Sequence, residues 1–252
     1  MHRENPLLCI VFAMGIEAYP FLRRVEVKRR WAHNRAIYRQ AFFEGHSLVI
    51  VRSGIGPARA ADAIRHLEVR PSAILSVGTA GGLAPDSRIR DIVVACETVF
   101  GDQPDGILKC SAELVEAISD ACGTEGLQFR IARLATVSKA VINSDHRRQL
   151  HQLTGGHAVD MESHAVALEA SNMGIPFAAL RVISDDVNSP PFPEPRALKE
   201  LWRRPTQLPS TLPAAMKWIK FIKNFRKTVE LLHPALVRLI RNSGKSYELS
   251  AL

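Results

Sequence analysis

The run AILSVGTAGGL, Ala73 to Leu83, decides the fold class. Its first half is continuously apolar rather than alternating, as in a strand covered on both faces, and it closes in a glycine-rich turn. LLCIVFA (Leu7 to Ala13) has the same texture, followed by a loop, MGIEA. Between them, IYRQAFFEG and HSLVIVRSG read as a hairpin pair of strands, and SGIGP turns the chain into a helix, ARAADAIRHL. Downstream, DIVVACETVF and RIARLATVS read as strands and SAELVEAISDAC as a helix. HRRQLHQLTGG is a short helix stopped by glycine. AVDMESHAVALEASNMG runs from a strand end into a helix, and PFAALRVISDDV is the last strand. Phe100 to Cys110 shows no clear element and is short for a substrate lid. Alternating strands and helices predict an α/β fold with a mostly parallel sheet covered by helices.

Past Val187 the texture changes: NSPPFPEP is too proline-dense for regular structure and leads into a basic tail. This divides the chain into a body, residues 1–187, and a tail, 188–252. The whole chain has 252 residues and net charge +8, but Arg196 to Arg241 holds eleven cations against two acids. The basic character therefore belongs to the tail and favours an anionic partner. Within it, KWIKFIKNFRK (Lys217 to Lys227) reads as an amphipathic helix. Trp218, Phe221 or Ile222, Phe225, Val229 and Leu232 line one face, with lysines and Arg226 at the flanks and behind. Basic helices of this kind lie in membrane interfaces, so 217–232 is expected to dock on an anionic membrane surface. Packing on the body or on a second subunit is the competing reading. No nucleic-acid module is recognisable, and nucleic acid is not expected as a partner. Cys9, Cys96, Cys110 and Cys122 show no paired spacing and read as reduced thiols of a cytoplasmic protein. No segment supplies the roughly 20 apolar residues of a membrane span.

Four strand ends carry chemistry: MGIE, SGIGP, GTAGG, and the pair DMES and SDD. Ligands gather at such ends in open α/β sheets. SGIGP lacks the third glycine of a dinucleotide fingerprint; it is a tight turn or a backbone cradle for an anion or a ribose. GTAGG is either plain packing or a strip on which a ligand lies against the backbone. Glu17, Glu162 and Asp185 each end a strand; any one alone would be an ordinary surface carboxylate. Together they suit glycosidic cleavage, where one acid protonates the leaving group and another activates the nucleophile or steadies a cationic sugar. His164 is expected to pack locally on its helix, and His146, His151 and His157 lack ligand spacing, so no metal is expected.

AMGIE, SGIGP, SVGTAGGLAP, AVDMES and LRVISDD occur in that order. The set resembles the purine nucleoside phosphorylase and methylthioadenosine/adenosylhomocysteine nucleosidase superfamily over about Leu7 to Val187. The resemblance implies a three-layer α/β sandwich with a mixed, largely parallel central sheet, here followed by a helical basic tail. It implies cleavage of the bond between a ribose and a purine, and a homodimer. By position, Glu17 matches the acid that activates water and Asp185 the donor of a proton to the purine imidazole nitrogen. Met161 and Glu162 match the ribose-binding pair, with Ser184 preceding the acid and Gly78, Thr79, Ala80 and Gly81 beneath sugar and base. A proton donor at neutral pH needs a raised pKa, which desolvation of Asp185 would supply. Two positions depart from the pattern. Val141 stands where the nucleosidases place an aromatic, and Ser76 where the phosphorylases place a phosphate-binding arginine. Arg52 and Arg59 are the candidates to replace that arginine. No cofactor is expected; inorganic phosphate stays open as a co-substrate, with Glu17 favouring water.

The run TGGHAVDMESHAVALEA and the later RRPTQLP are similar to one branch, the hopanoid-associated nucleoside phosphorylases. That likeness implies a lipid-linked substrate, adenosylhopane, cleaved to ribosylhopane or its phosphate with release of adenine in hopanoid biosynthesis. It also implies a cytoplasmic protein peripheral at the inner face of the membrane. The alternatives are a soluble methylthioadenosine-type nucleosidase and a non-catalytic, membrane-associated nucleoside-binding module.

Overall fold

The computed structural model describes residues 7–101, 103–141, 143–187 and 224–246. β1 (Leu8–Phe12) is fully buried, as its unbroken apolar sequence requires. It lies parallel to both β4 (His46–Arg52) and β5 (Ala73–Gly82), with Ile10 opposite Ile50 and Leu75. β3 (Ala36–Phe43) joins β4 in the expected hairpin, turning at Glu44 and Gly45, both with positive φ. β2 (Glu26–His33) adds an outer antiparallel strand.

On the other side of β5 the sheet curls. β6 (Ile92–Phe100), β8 (Phe129–Thr136), β9 (Ala158–Asp160) and β10 (Phe177–Asp185) follow in the order β10-β6-β8-β9-β5. β10 also pairs with β5, which closes these strands into a ring. Phe100 to Cys110 contains a further strand, β7 (Gln103–Lys109), paired with β6. The sheet is mixed, as expected: parallel around β1, β5 and β10, antiparallel in the β2–β4 arm and where β10 meets β6.

The helices are α1 (Gly15–Leu22), α2 (Pro57–Arg65), α3 (Ala112–Thr124), α4 (Ser144–Thr154) and α5 (Ser163–Asn172). MGIEA, expected as a loop, forms the start of α1: Glu17 reaches back to the Met14 amide at 2.9 Å and caps the helix. α4 is capped by the Asn143 side chain and stops at Gly155 with φ 65°, as its sequence predicts.

In the tail, helical residues 224–230 lead into α6 (Leu232–Ser246). Lys217 to Lys223 lie outside the described residues. The described part of the apolar stripe does not face outward: Phe225, Val229 and Leu232 are buried. Leu232, Leu236 and Ile240 join the main core, and α6 packs on α3. Arg238 pairs with Glu125 at 2.7 Å and Arg241 with Glu44 at 2.6 Å. Over this span the competing reading, packing on the body, describes the chain. Among the described residues no helix is long and apolar enough to cross a membrane.

Candidate active site

β5 and β10 run side by side with Arg181 opposite Gly78, Val182 opposite Thr79 and Ile183 opposite Ala80. The register then slips, and Asp185 pairs with Gly81. The glycine strip and the last acid thus share one edge of the sheet, and α1 brings Glu17 to the same strip.

Glu17 is 2% exposed. Its Oε1 accepts the amide and the hydroxyl of Thr79, both at 2.9 Å, and its Oε2 accepts the Met14 amide. Gly78 makes this seat: a Cβ there would lie 2.8 Å from Glu17 Oε1. Burial pushes the Glu17 pKa up, while the two amides and the charge of Arg181 pull it back part of the way.

Glu162 is the residue at the N-cap position of α5, two residues past the end of β9. Its Oε1 accepts the Gly56 amide at 2.7 Å. The SGIGP turn therefore spends its Gly56 amide on the protein's own carboxyl group, and Gly56 adopts φ 107° to present that amide. Burial, reinforced by the neighbouring Asp160 charge, raises the Glu162 pKa to about 8.

Behind both glutamates lies a buried ion pair absent from the expected site. Arg181 donates through Nε and Nη2 to Asp160 at 3.0 and 2.8 Å. Its remaining donors go to the Ser76 carbonyl and hydroxyl, the Leu180 carbonyl and the Ser163 hydroxyl. Asp160 also accepts the Thr136 hydroxyl at 2.7 Å and the amides of Glu162 and Ser163. It thereby fixes the turn that aims Met161 and Glu162. Ser76 packs on a guanidinium after all, but one whose hydrogen-bonding capacity is spent inside the protein. A lone arginine in the apolar run FAALRVISD was the available signal, since a buried charge needs a partner.

Asp185, at the end of β10, carries two side-chain partners. Ser184 Oγ donates to its Oδ1 at 2.7 Å, and Arg147 Nη2 donates to Oδ2. Arg147, on α4, is itself buried; it also donates to the carbonyls of Val141 at 2.9 Å and Asp186 at 2.9 Å. One side chain thus ties β10 and the 137–141 segment to α4. Val141 and Met161 meet in a small apolar cluster with Leu83, Val99, Val137 and Val159. Ser184 also reaches the Ala80 carbonyl at 3.3 Å.

The structure separates Arg52 and Arg59. The Arg52 guanidinium lies by Gly15 at the start of α1, whereas Arg59 folds over Gly54 and lines an outer cleft with Asn34, Arg35 and Asp62. His164 packs locally: its Nδ1 meets Thr98 Oγ1 at 3.1 Å and its ring tilts against Phe100. The four cysteines are free.

A closed, mixed sheet with Glu17 and Asp185 on its glycine strip and Glu162 nearby suits cleavage of a glycosidic bond. The chain belongs to the phosphorylase superfamily, whose family model matches residues 7–192. A 5'-methylthioadenosine/S-adenosylhomocysteine nucleosidase of Tolumonas auensis is 30% identical over 159 residues, covering 56% of this chain and 69% of that protein. The solved S-adenosylhomocysteine nucleosidase of Streptococcus pyogenes superposes with TM-score 0.77 at 21% identity, covering 96% of this chain and 99% of that one. Futalosine hydrolase of Helicobacter pylori superposes with TM-score 0.72 at 19% identity, covering 92% and 97%.

Proposed function

We propose that this chain cleaves the N-glycosidic bond of an adenine nucleoside and releases adenine. The observation that carries this is that Glu17 and Asp185 sit on the Gly78–Gly81 strip while Glu162, held by the Gly56 amide, lies close enough to feel the Glu17 charge. In this reading Glu162 accepts the ribose hydroxyls, Asp185 takes up a proton from solvent and passes it to the purine imidazole nitrogen, and Glu17 activates the attacking nucleophile. The leaving base gains a proton while the ribosyl cation forms against carboxylates held in a dry site. Gly78, Thr79, Ala80 and Gly81 form the floor, and Val141 and Met161 the apolar wall. Water is the nucleophile, because Arg181 has no donor left for an anion; Arg52, beside Gly15 at the start of α1, is the residue that would favour phosphate instead. Neither path requires a cofactor.

The Tolumonas auensis relative supports methylthioadenosine or S-adenosylhomocysteine as the substrate. The motif likeness to the hopanoid-associated branch supports a lipid-linked nucleoside, with the cations of the tail beside an anionic membrane and a second copy completing a homodimer. The buried Phe225, Val229 and Leu232 leave docking to the exposed Arg226 and Lys227 and to the residues before 224.

Adenine release measured from adenosylhopane in liposomes and from methylthioadenosine, each with and without phosphate, tests the proposal. Release from the liposomes supports the lipid-linked reading, and release from methylthioadenosine alone supports the soluble one. No release from either substrate, by protein that is folded, would sink both.

A further inference from the structure

The outer end of the β2–β3 arm meets α2 at three side chains that the glutamate site does not use. His33 is the last residue of β2; Asp62 and His66 stand one helical turn apart, on α2 and at its C-terminal cap. Each offers one ligand atom, and these atoms all lie within 4.8 Å of one another. The His33 and His66 rings stack with centroids 3.9 Å apart and 19° between their planes. All three side chains reach solvent at least in part.

Two further bonds set the cluster up as ligands. Asn34, in the left-handed region with φ 50° at the β2–β3 turn, donates its side-chain amide to Asp62 Oδ2 at 2.8 Å. His66 Nδ1 lies 2.8 Å from the Asp62 backbone carbonyl and 3.3 Å from Asp62 Oδ1; a proton on Nδ1 serves both oxygens and leaves coordination to Nε2. An imidazole bonded to a carbonyl through its other nitrogen, and a carboxylate steadied by an amide, are the outer contacts that metal ligands characteristically carry.

We propose that His33, Asp62 and His66 form a binding site for a divalent transition metal of the zinc class. Two imidazoles and one carboxylate suit Zn(II), Co(II), Ni(II) or Cu(II); calcium and magnesium prefer all-oxygen sets. The positive charge of Arg65 also bears on Asp62. The ion is therefore held by coordination to nitrogen rather than by net negative charge, which disfavours the hard cations further. In a tetrahedral site with bonds of about 2.0–2.1 Å the ligands stand roughly 3.4 Å apart, so the ligand atoms must draw together by up to roughly 1.4 Å. The lone pairs of two stacked rings lie in parallel planes and do not converge on one point. Binding therefore turns one ring out of the stack, and water completes the coordination on the open side. The ion would clamp the β2–β3 arm to α2. That helix begins beside Gly56, whose amide holds Glu162, so the clamp would also stiffen the seat of that glutamate.

The test uses the full chain, stripped with a chelator and dialysed, then titrated with Zn(II) by calorimetry and with Co(II) by visible absorption. One equivalent should bind, and His33→Gln and His66→Gln should each weaken binding by at least about tenfold. Zn(II) should raise the melting temperature of the wild type and not of the variants. The Co(II) spectrum should show ligand-field bands without the thiolate charge-transfer band that Cys96 would add. His66 is exposed beyond the last turn of α2, so its replacement leaves the core intact and keeps the test readable should the His33 variant fold poorly. Absence of saturable binding by the wild type overturns the proposal. So does binding that both substitutions leave unchanged, or a thiolate band.

Discussion

The guanidinium of Arg147 is bonded to the carboxylate of Asp185, 38 residues away in sequence, and both side chains are largely shielded from solvent. Asp185 therefore does not stand alone at the end of β10: its orientation depends on a helix that contributes no other residue to the proposed chemistry. Removing one partner of a buried pair strands the other charge, at a cost of about 3–5 kcal/mol. Arg147→Ala should lower the denaturation midpoint and reduce adenine release together. Asp185→Asn keeps the shape and should reduce release on the order of 10²–10⁴-fold with a smaller stability change. Equal turnover in wild type and Asp185→Asn would remove Asp185 from the mechanism.

Gly78 and Glu17 form the tightest fit in the site. A methyl group on residue 78 would press on Glu17 Oε1 at 2.8 Å, so the carboxylate must leave the Thr79 amide and hydroxyl. Gly78→Ala is expected to cost about 1–3 kcal/mol through overpacking and to lower kcat with less effect on KM. Glu17→Gln keeps the volume but turns its amide nitrogen against the Met14 or Thr79 N–H, so kcat should fall with a stability loss of about 1–3 kcal/mol. Should Gly78→Ala turn over at the wild-type rate, Glu17 is not the activating base.

Much of this was legible because burial writes itself into strands as unbroken apolar runs. β1, β5 and β10 were visible for that reason, and the three acids because each ends such a run. β2 was not: EVKRRWAH is a polar outer strand, almost all exposed, which resembles a loop in composition. β7 is likewise a peripheral strand, paired with β6. α1 hid behind its brevity and an internal proline, Pro20. The Asp160–Arg181 pair was within reach, since a lone arginine in an apolar strand demands a counter-charge. The Arg147–Asp185 pair was not, because no spacing rule links α4 to β10. His33 and His66 are also joined only by tertiary structure, so their separation in the chain carried no metal signature. For KWIKFIKNFRK, periodicity reveals an apolar stripe but not what covers it. Membrane and protein core impose the same pattern.

The tail offers a stability test that separates these two covers. Leu236 is fully buried in the main core beneath α3. Leu236→Ala should destabilise the isolated protein in plain buffer by about 2–5 kcal/mol, read as a lower denaturant midpoint. Arg241→Ala, which breaks only the exposed pair with Glu44, should leave that midpoint close to wild type. Ending the chain at residue 223 should expose the α3 face and yield aggregated protein. A soluble, fully stable truncation would show that α6 contributes nothing to the fold of the body.

Glu162 makes stability depend on pH in a defined direction. Its folded pKa of about 8 lies above the ordinary value of 4.5, so the folded chain holds a proton that the unfolded chain has released between those values. Stability is complete below about pH 4.5, declines as pH rises through the folded value, and levels off above it. Glu162→Gln removes this loss. The melting temperature of the variant relative to wild type should therefore climb between pH 5 and 8 and then stay flat, each kcal/mol being worth roughly 2–4 °C in a chain of this size. The difference cancels the opposite slopes of His157, His164 and His233, whose pKa values burial lowers. Glu17, also raised, feels the Glu162 charge, so Glu162→Gln changes part of the Glu17 slope as well and the gap reports the two glutamates together. The same proton enters the proposed catalysis: a ribose diol donates to the carboxylate, so kcat/KM should rise with pH and level off near 8. A gap in melting temperature that stays constant from pH 5 to 9 would mean that Glu162 is ionised throughout, and that the desolvation argued for its site is relieved by water reaching it.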